Sequence, residues 1–261
     1  MLRLCLAFFL LGLAGAVNAT VVGEPVEYRS GDTVLKGFLA YDDSSDARRP
    51  AVLVVHEWWG HNEYARKRAL MLAELGYVAL AVDMYGDGKR ATHPDDAGKF
   101  SSAIANNLPE AQARFLAAMD VLKKHKATDS EKIAAIGYCF GGAVVLQMAR
   151  LGLDLDGVAS FHGHLGTAQP AQAGKVRAKI LVLHGADDPF IPAEQVELFK
   201  TEMKNAGADY KFIAYPGALH SFTNPDADRY GEQFNLPLKY NEAADRASWT
   251  ELQSFLASVF K

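Results

Sequence analysis

From residue 51 onward the chain alternates short apolar runs with stretches of helical spacing, and few folds accept that order. Residues 51–55, 77–82, 132–136, 157–161, 179–184 and 209–215 are too short for helices and largely apolar, as strands covered on both faces must be. Between them, residues 62–75, the stretch up to residue 126 with its clearer start near Pro109, and residues 141–151, 193–206 and 240–260 have helical spacing. In the first of these, Ala65, Ala69, Leu72 and Leu75 fall on one side, and Gly76 follows as a stop. This alternation predicts an α/β fold, a mostly parallel twisted sheet with helices on both faces. Ahead of it, residues 24–29 and 33–41 alternate about Ser30-Gly31-Asp32 and predict an N-terminal antiparallel hairpin. Residues 20–261 contain no repeat, low-complexity stretch or long linker, and about 240 residues suit one large domain.

Residues 1–19 are set apart. Arg3, the apolar stretch 4–13 and the small residues around Val17-Asn18-Ala19 have the order of a signal peptide, and the apolar stretch is short for a membrane span. The expectation is an exported protein, periplasmic or secreted, that begins near Thr20 and has no membrane segment after cleavage. Removing the leader removes Cys5 and leaves Cys139 without a cysteine to pair with. A formal net charge of −4 and the absence of a basic stripe argue against a nucleic-acid partner.

Cys139 is either an apolar filler or a working thiol, and its setting decides. The strand at 132–136 runs into Gly137-Tyr138-Cys139-Phe140-Gly141-Gly142 and then directly into a helix. This is the glycine-flanked nucleophile elbow, with cysteine in the place of serine. Its glycines are needed because a Cβ there would strike the strand or helix behind the turn. The turn also aims the Phe140 amide at the position of a developing oxyanion, and the helix N-terminus favours a thiolate.

Two later strand ends supply partners. The strand at 179–184 is followed by Asp187 and Asp188, either of which spacing alone allows as an orienting acid, and the last strand is followed by His220. Nucleophile, acid and histidine in that chain order, each after a strand, match the α/β-hydrolase arrangement. Other histidines carry less. His56 and His61 are five apart after a strand, where a zinc helix needs four on one face. A metal site built from His162, His164 and His184 is conceivable but not favoured, so no metal and no organic cofactor is expected.

The motif GYCFGG, together with H-G-x-x-D-x-x-x-P at 184–192 and G-x-x-H-S-F at 217–222, resembles the dienelactone hydrolase family across essentially all of residues 20–261. The resemblance implies that Cys139 is the nucleophile, His220 the base and Asp188 rather than Asp187 the acid. It also implies that Glu57 is the thiol's partner and that the Trp58 amide is the second oxyanion donor beside Phe140. A carboxylate beside a thiol holds it protonated until the site rearranges. Trp58, Trp59, Tyr85, Phe140, Phe190 and Phe222 are expected to line an aromatic pocket, and residues 223–238 form either a lid or a plain surface loop. Family members that bind an anionic lactone use two arginines, and this chain has Asp87 and Asn224 in their places. Lys89, Arg90 and Arg229 are the nearby cations in sequence. The expected activity is therefore hydrolysis of a small-molecule ester or lactone through a cysteine thioester. The rival is a non-catalytic module of the same fold that binds a ligand or a partner protein.

Overall fold

The structure, a computed structural model, describes residues 20–44 and 46–261. The expected leader, residues 1–19, lies outside them. An eight-stranded sheet has the order β1-β2-β4-β3-β5-β6-β7-β8. Strands β1 (Val21–Ser30) and β2 (Thr33–Asp42) form the antiparallel hairpin, and β2 pairs antiparallel with β4 (Val78–Val82). From β4 onward, through β3 (Arg49–Val55), β5 (Thr128–Tyr138), β6 (Gly157–Phe161), β7 (Lys179–Gly185) and β8 (Tyr210–Tyr215), every pairing is parallel.

The continuous apolar runs have a direct cause in the packing. Side chains alternate faces along a strand, so a sheet covered on both sides needs apolar residues at every position. Leu53, Leu80, Ala135 and Val182 point to one core, packed under α2 (Pro94–Ala105), α3 (Leu108–Lys124), α4 (Phe140–Arg150) and α5 (Ala193–Ala206). Val54, Ala81, Ile136 and Leu183 point to the other, under α1 (Glu63–Glu74) and α7 (Glu242–Val259).

One element departs from expectation. Part of the segment 223–238, read as a lid or loop, folds as α6 (Ala227–Phe234), in which Ala227 is the buried residue. Its sequence, ADRYGEQF, has little apolar content to announce a helix. Tertiary stacking holds it: Tyr230 lies over Trp59 at 4.3 Å between ring centroids, and Phe234 at 5.9 Å.

Because β3, β5, β7 and β8 are parallel, the residues that follow them emerge at the same edge of the sheet. That places Glu57, Cys139, Asp188 and His220 together, as sites in such sheets are placed.

Candidate active site

Cys139 sits between β5 and α4 with φ +53° and ψ −115°, a conformation L-residues rarely adopt. Such strain costs about 1–3 kcal/mol and persists only where the surroundings impose it. Here the glycines permit it. A Cβ on Gly137 would strike the backbone of Gly141, and one on Gly141 would strike the Val55 carbonyl. The chain can therefore turn from strand to helix closely enough to raise the thiol above the sheet edge. His162 (φ +40°) and Ser221 (φ +57°) are strained in the same way beside it.

The His220 ring lies close enough to the Cys139 side chain for the two to interact. Its Nδ1 lies 2.7 Å from Asp188 Oδ2, which leaves Nε2 for the thiol. Asp188 is fixed in turn by the Phe190 amide, which donates to Oδ1 at 2.9 Å. Asp188 is buried and Asp187 exposed, so the structure separates the two acids that spacing left open. Burial alone would favour a neutral His220. The Cys139 thiolate and the hydrogen bond to Asp188 outweigh it and push the imidazolium pKa up to about 10.

Glu57 is 1% exposed, and burial pushes its carboxyl above the usual range, opposed by hydrogen bonds from Asn224 and Ser221. Asn224 Nδ2 donates to Oε2 at 2.6 Å, while Oε1 is buried without a protein partner. The residue in the place of a family arginine thus faces the glutamate. At the first turn of α4 the Phe140 N–H has no intrahelical acceptor, and neither it nor the Trp58 N–H finds one among the described residues. Both are free to donate to an oxyanion.

A cavity of about 850 Å³ opens at Cys139 and His220. It runs over α4 between the α2–α3 junction and the loop at 164–169, and Trp58, Phe140 and Phe190 line it as expected. Trp59, Tyr85 and Phe222 do not. Trp59 is turned into the stack with α6, Tyr85 donates from Oη to the Trp58 carbonyl at 3.0 Å behind the wall, and Phe222 is fully buried against Tyr215 and His162. A motif shows that aromatic residues are near a site but not which side of the wall they take. The cavity residues missed from the sequence come from the α2–α3 junction, α4, the loop at 164–169, Ile191 and Leu238. One signal was available, since Phe140, Ala143, Val144, Gln147 and Met148 fall on a single helical face.

Among the described residues no cluster of three or more His, Cys, Asp or Glu side chains is arranged to hold a metal ion. Nor is any of their helices long and apolar enough to cross a membrane. Of the three histidines weighed for a metal, His162 Nε2 bonds Thr223 Oγ1 at 2.7 Å, and His164 Nε2 meets the Gln195 amide at 3.0 Å.

A family model described as "Dienelactone hydrolase family" matches residues 35–260. The "Protein usf" of Aquifex pyrophilus is 31% identical over 78% of this chain and 88% of its own length. A putative carboxymethylenebutenolidase of Aquifex aeolicus (strain VF5) is 29% identical over the same shares. Among solved structures, a dienelactone hydrolase-like promiscuous phosphotriesterase from metagenomic libraries superposes with a TM-score of 0.85 at 33% identity, covering 92% of this chain and 99% of that one.

Proposed function

The chain belongs to the dienelactone hydrolase family and is a carboxylic ester or lactone hydrolase, and from that premise we propose that it works through a thioester on Cys139. The observation that carries this reading is the chain of contacts from Asp188 to His220 to Cys139 on a strained elbow. Cys139 passes its proton to His220 and attacks the ester carbonyl carbon. The oxyanion that forms takes hydrogen bonds from the Phe140 and Trp58 amides. As the tetrahedral intermediate collapses, the C–O bond breaks and His220 protonates the departing alcohol, which in a lactone stays on the same molecule. His220 then takes a proton from water, the hydroxide attacks the thioester, and the acid leaves as the thiol is restored. Asp188 holds His220 in the needed tautomer throughout. Glu57 controls the charge beside the thiol: a neutral carboxyl, favoured by its burial, spares the thiolate a like charge.

Preference for uncharged substrates is part of the same reading. No Lys, Arg, Asp or Glu lines the cavity, and neither Asp87 nor any of Lys89, Arg90 and Arg229 reaches it. Neither repulsion from Asp87 nor attraction to those cations therefore acts directly on a substrate in this cavity. An uncharged phosphotriester suits such a cavity as well as a neutral ester does, and the solved relative carries that activity in its name. Export through the leader at residues 1–19 is proposed on its sequence pattern, and N-terminal sequencing of secreted protein should begin at or next to Thr20.

The test is turnover of p-nitrophenyl acetate, simple lactones and a diethyl p-nitrophenyl phosphate by the wild type and by Cys139→Ala. Hydrolysis that disappears in the variant supports the reading. Hydrolysis undiminished by the substitution would mean that another group attacks the substrate, and no hydrolysis of any ester would favour the binding-module alternative.

A further inference from the structure

The cavity is much larger than the reactive end requires. Its volume of about 850 Å³ lies near the upper end of small-molecule sites, where small lactones would fill only a part. Its floor is one face of α4, from Phe140 beside the thiol through Ala143 and Val144 to Met148. At 1.5 Å of rise per residue that floor runs about 12 Å from the reactive end. Ile104 and Leu108 of the α2–α3 junction form the opposite wall.

The far end is polar but uncharged and already satisfied. Thr167 Oγ1 donates to Gln147 Oε1 at 2.7 Å, Gln147 Nε2 to the Gln169 carbonyl at 3.3 Å, and the Gln169 amide to Thr167 Oγ1 at 2.9 Å. The order along the groove is thus a reactive end, an apolar middle and a neutral polar rim. Beyond His220 at the reactive end, no Lys, Arg, Asp or Glu side chain lines the groove to hold a carboxylate, a phosphate monoester or an ammonium group.

We propose that this groove binds an elongated, uncharged apolar arm of the substrate, on one side of the scissile bond, with a length of about eight to ten carbons. The length follows from the 12 Å floor and an advance of about 1.3 Å per bond of an extended chain. The proposal rests on Cys139 being the nucleophile, because the groove is taken as a substrate arm's site only through its continuity with that thiol. A fully buried methylene is worth up to about fourfold in affinity, so even partial burial along the groove gives a steep chain-length dependence.

Two ester series measured on the full-length mature protein test it. One lengthens the acyl group of p-nitrophenyl esters from acetate to decanoate, and the other lengthens the alcohol of alkyl acetates. In one series kcat/KM should rise at least tenfold between two and eight carbons and then level off. In that series a carboxylate at the chain end should lower kcat/KM at least tenfold. Ala143→Phe on the floor and Ala105→Phe on the opposite wall should each lower the eight-carbon to two-carbon ratio at least fivefold, circular dichroism confirming the fold. A flat or falling profile in both series, with acetate still turned over in a Cys139-dependent way, overturns the proposal and leaves the thioester reading intact. So does an unaltered ratio in both folded variants. Turnover that survives Cys139→Ala is a different failure and removes the nucleophile instead.

Discussion

Around Arg68 all three guanidinium nitrogens have partners, whereas around Glu57 a buried carboxylate oxygen has none. Arg68 Nη2 donates to Asp245 Oδ1 at 2.6 Å and to the Thr223 carbonyl at 2.8 Å, and its Nε to Tyr64 Oη at 3.3 Å. Tyr64 meets Thr223 Oγ1 at 2.6 Å, Thr223 meets His162, and His162 Nδ1 accepts from the Cys139 amide at 3.1 Å. The first cluster reaches the Cys139 backbone, and the second acts on His220, the thiol's partner. A saturated network fixes the backbone under Cys139, and a buried carboxylate oxygen left without a partner, Glu57 Oε1, stands on the other side. Stability and reactivity are drawn from opposite states of the same kind of group.

The comparison breaks most sharply at the acid. Asp188→Asn should lower turnover on the order of 10⁴-fold, since an amide cannot hold His220 in the required tautomer. Asp187→Asn, at an exposed site, should change it less than about tenfold. Steady-state kinetics on both variants decides, and the reverse ranking would move the acid by one residue.

On the closed side the cost should fall on stability. Arg68→Met removes one partner of a buried ion pair, leaving Asp245 without its cation and the Thr223 carbonyl without its donor. The expected loss is about 3–5 kcal/mol, read from urea unfolding. A loss under about 1 kcal/mol would mean that the network is not what fixes the strand ends.

The smallest effect has the opposite sign. Burial raises the Glu57 pKa, so its favourable contribution is complete below the ordinary glutamate range and is lost as pH rises through the folded pKa. Glu57→Gln removes a charge that the buried site disfavours. The variant should therefore match or exceed the wild type in thermal stability above neutral pH, with the gap closing toward pH 4. A variant less stable than the wild type at high pH but not at low pH would show that the glutamate is held as a stabilised anion.

These expectations also mark what the sequence makes legible. Strands β3 to β7 stand out because burial on both faces leaves unbroken apolar runs, and the elbow stands out because Gly137 and Gly141 have no room for a Cβ. The order Cys139, Asp188, His220 is visible because parallel strands bring successive strand ends to one edge. The Arg68 network is not visible: its partners Thr223 and Asp245 lie 155 and 177 residues away, and none belongs to a local pattern. Helix α6 is hidden for the same reason, its polar sequence being held by Trp59 from another part of the chain. That Trp59, Tyr85 and Phe222 turn away from the cavity is not legible either, because side-chain direction in loops has no period to read.

The central claim is the covalent intermediate, and it can be caught. The wild-type protein is mixed with an ester whose acyl group leaves the enzyme slowly, quenched in acid during the first turnovers, and weighed intact before peptide mapping. The account predicts a mass increase equal to one acyl group, located on the peptide that holds Cys139, fading at the rate of turnover. Turnover with no such adduct, or with the acyl group on another residue, would contradict it.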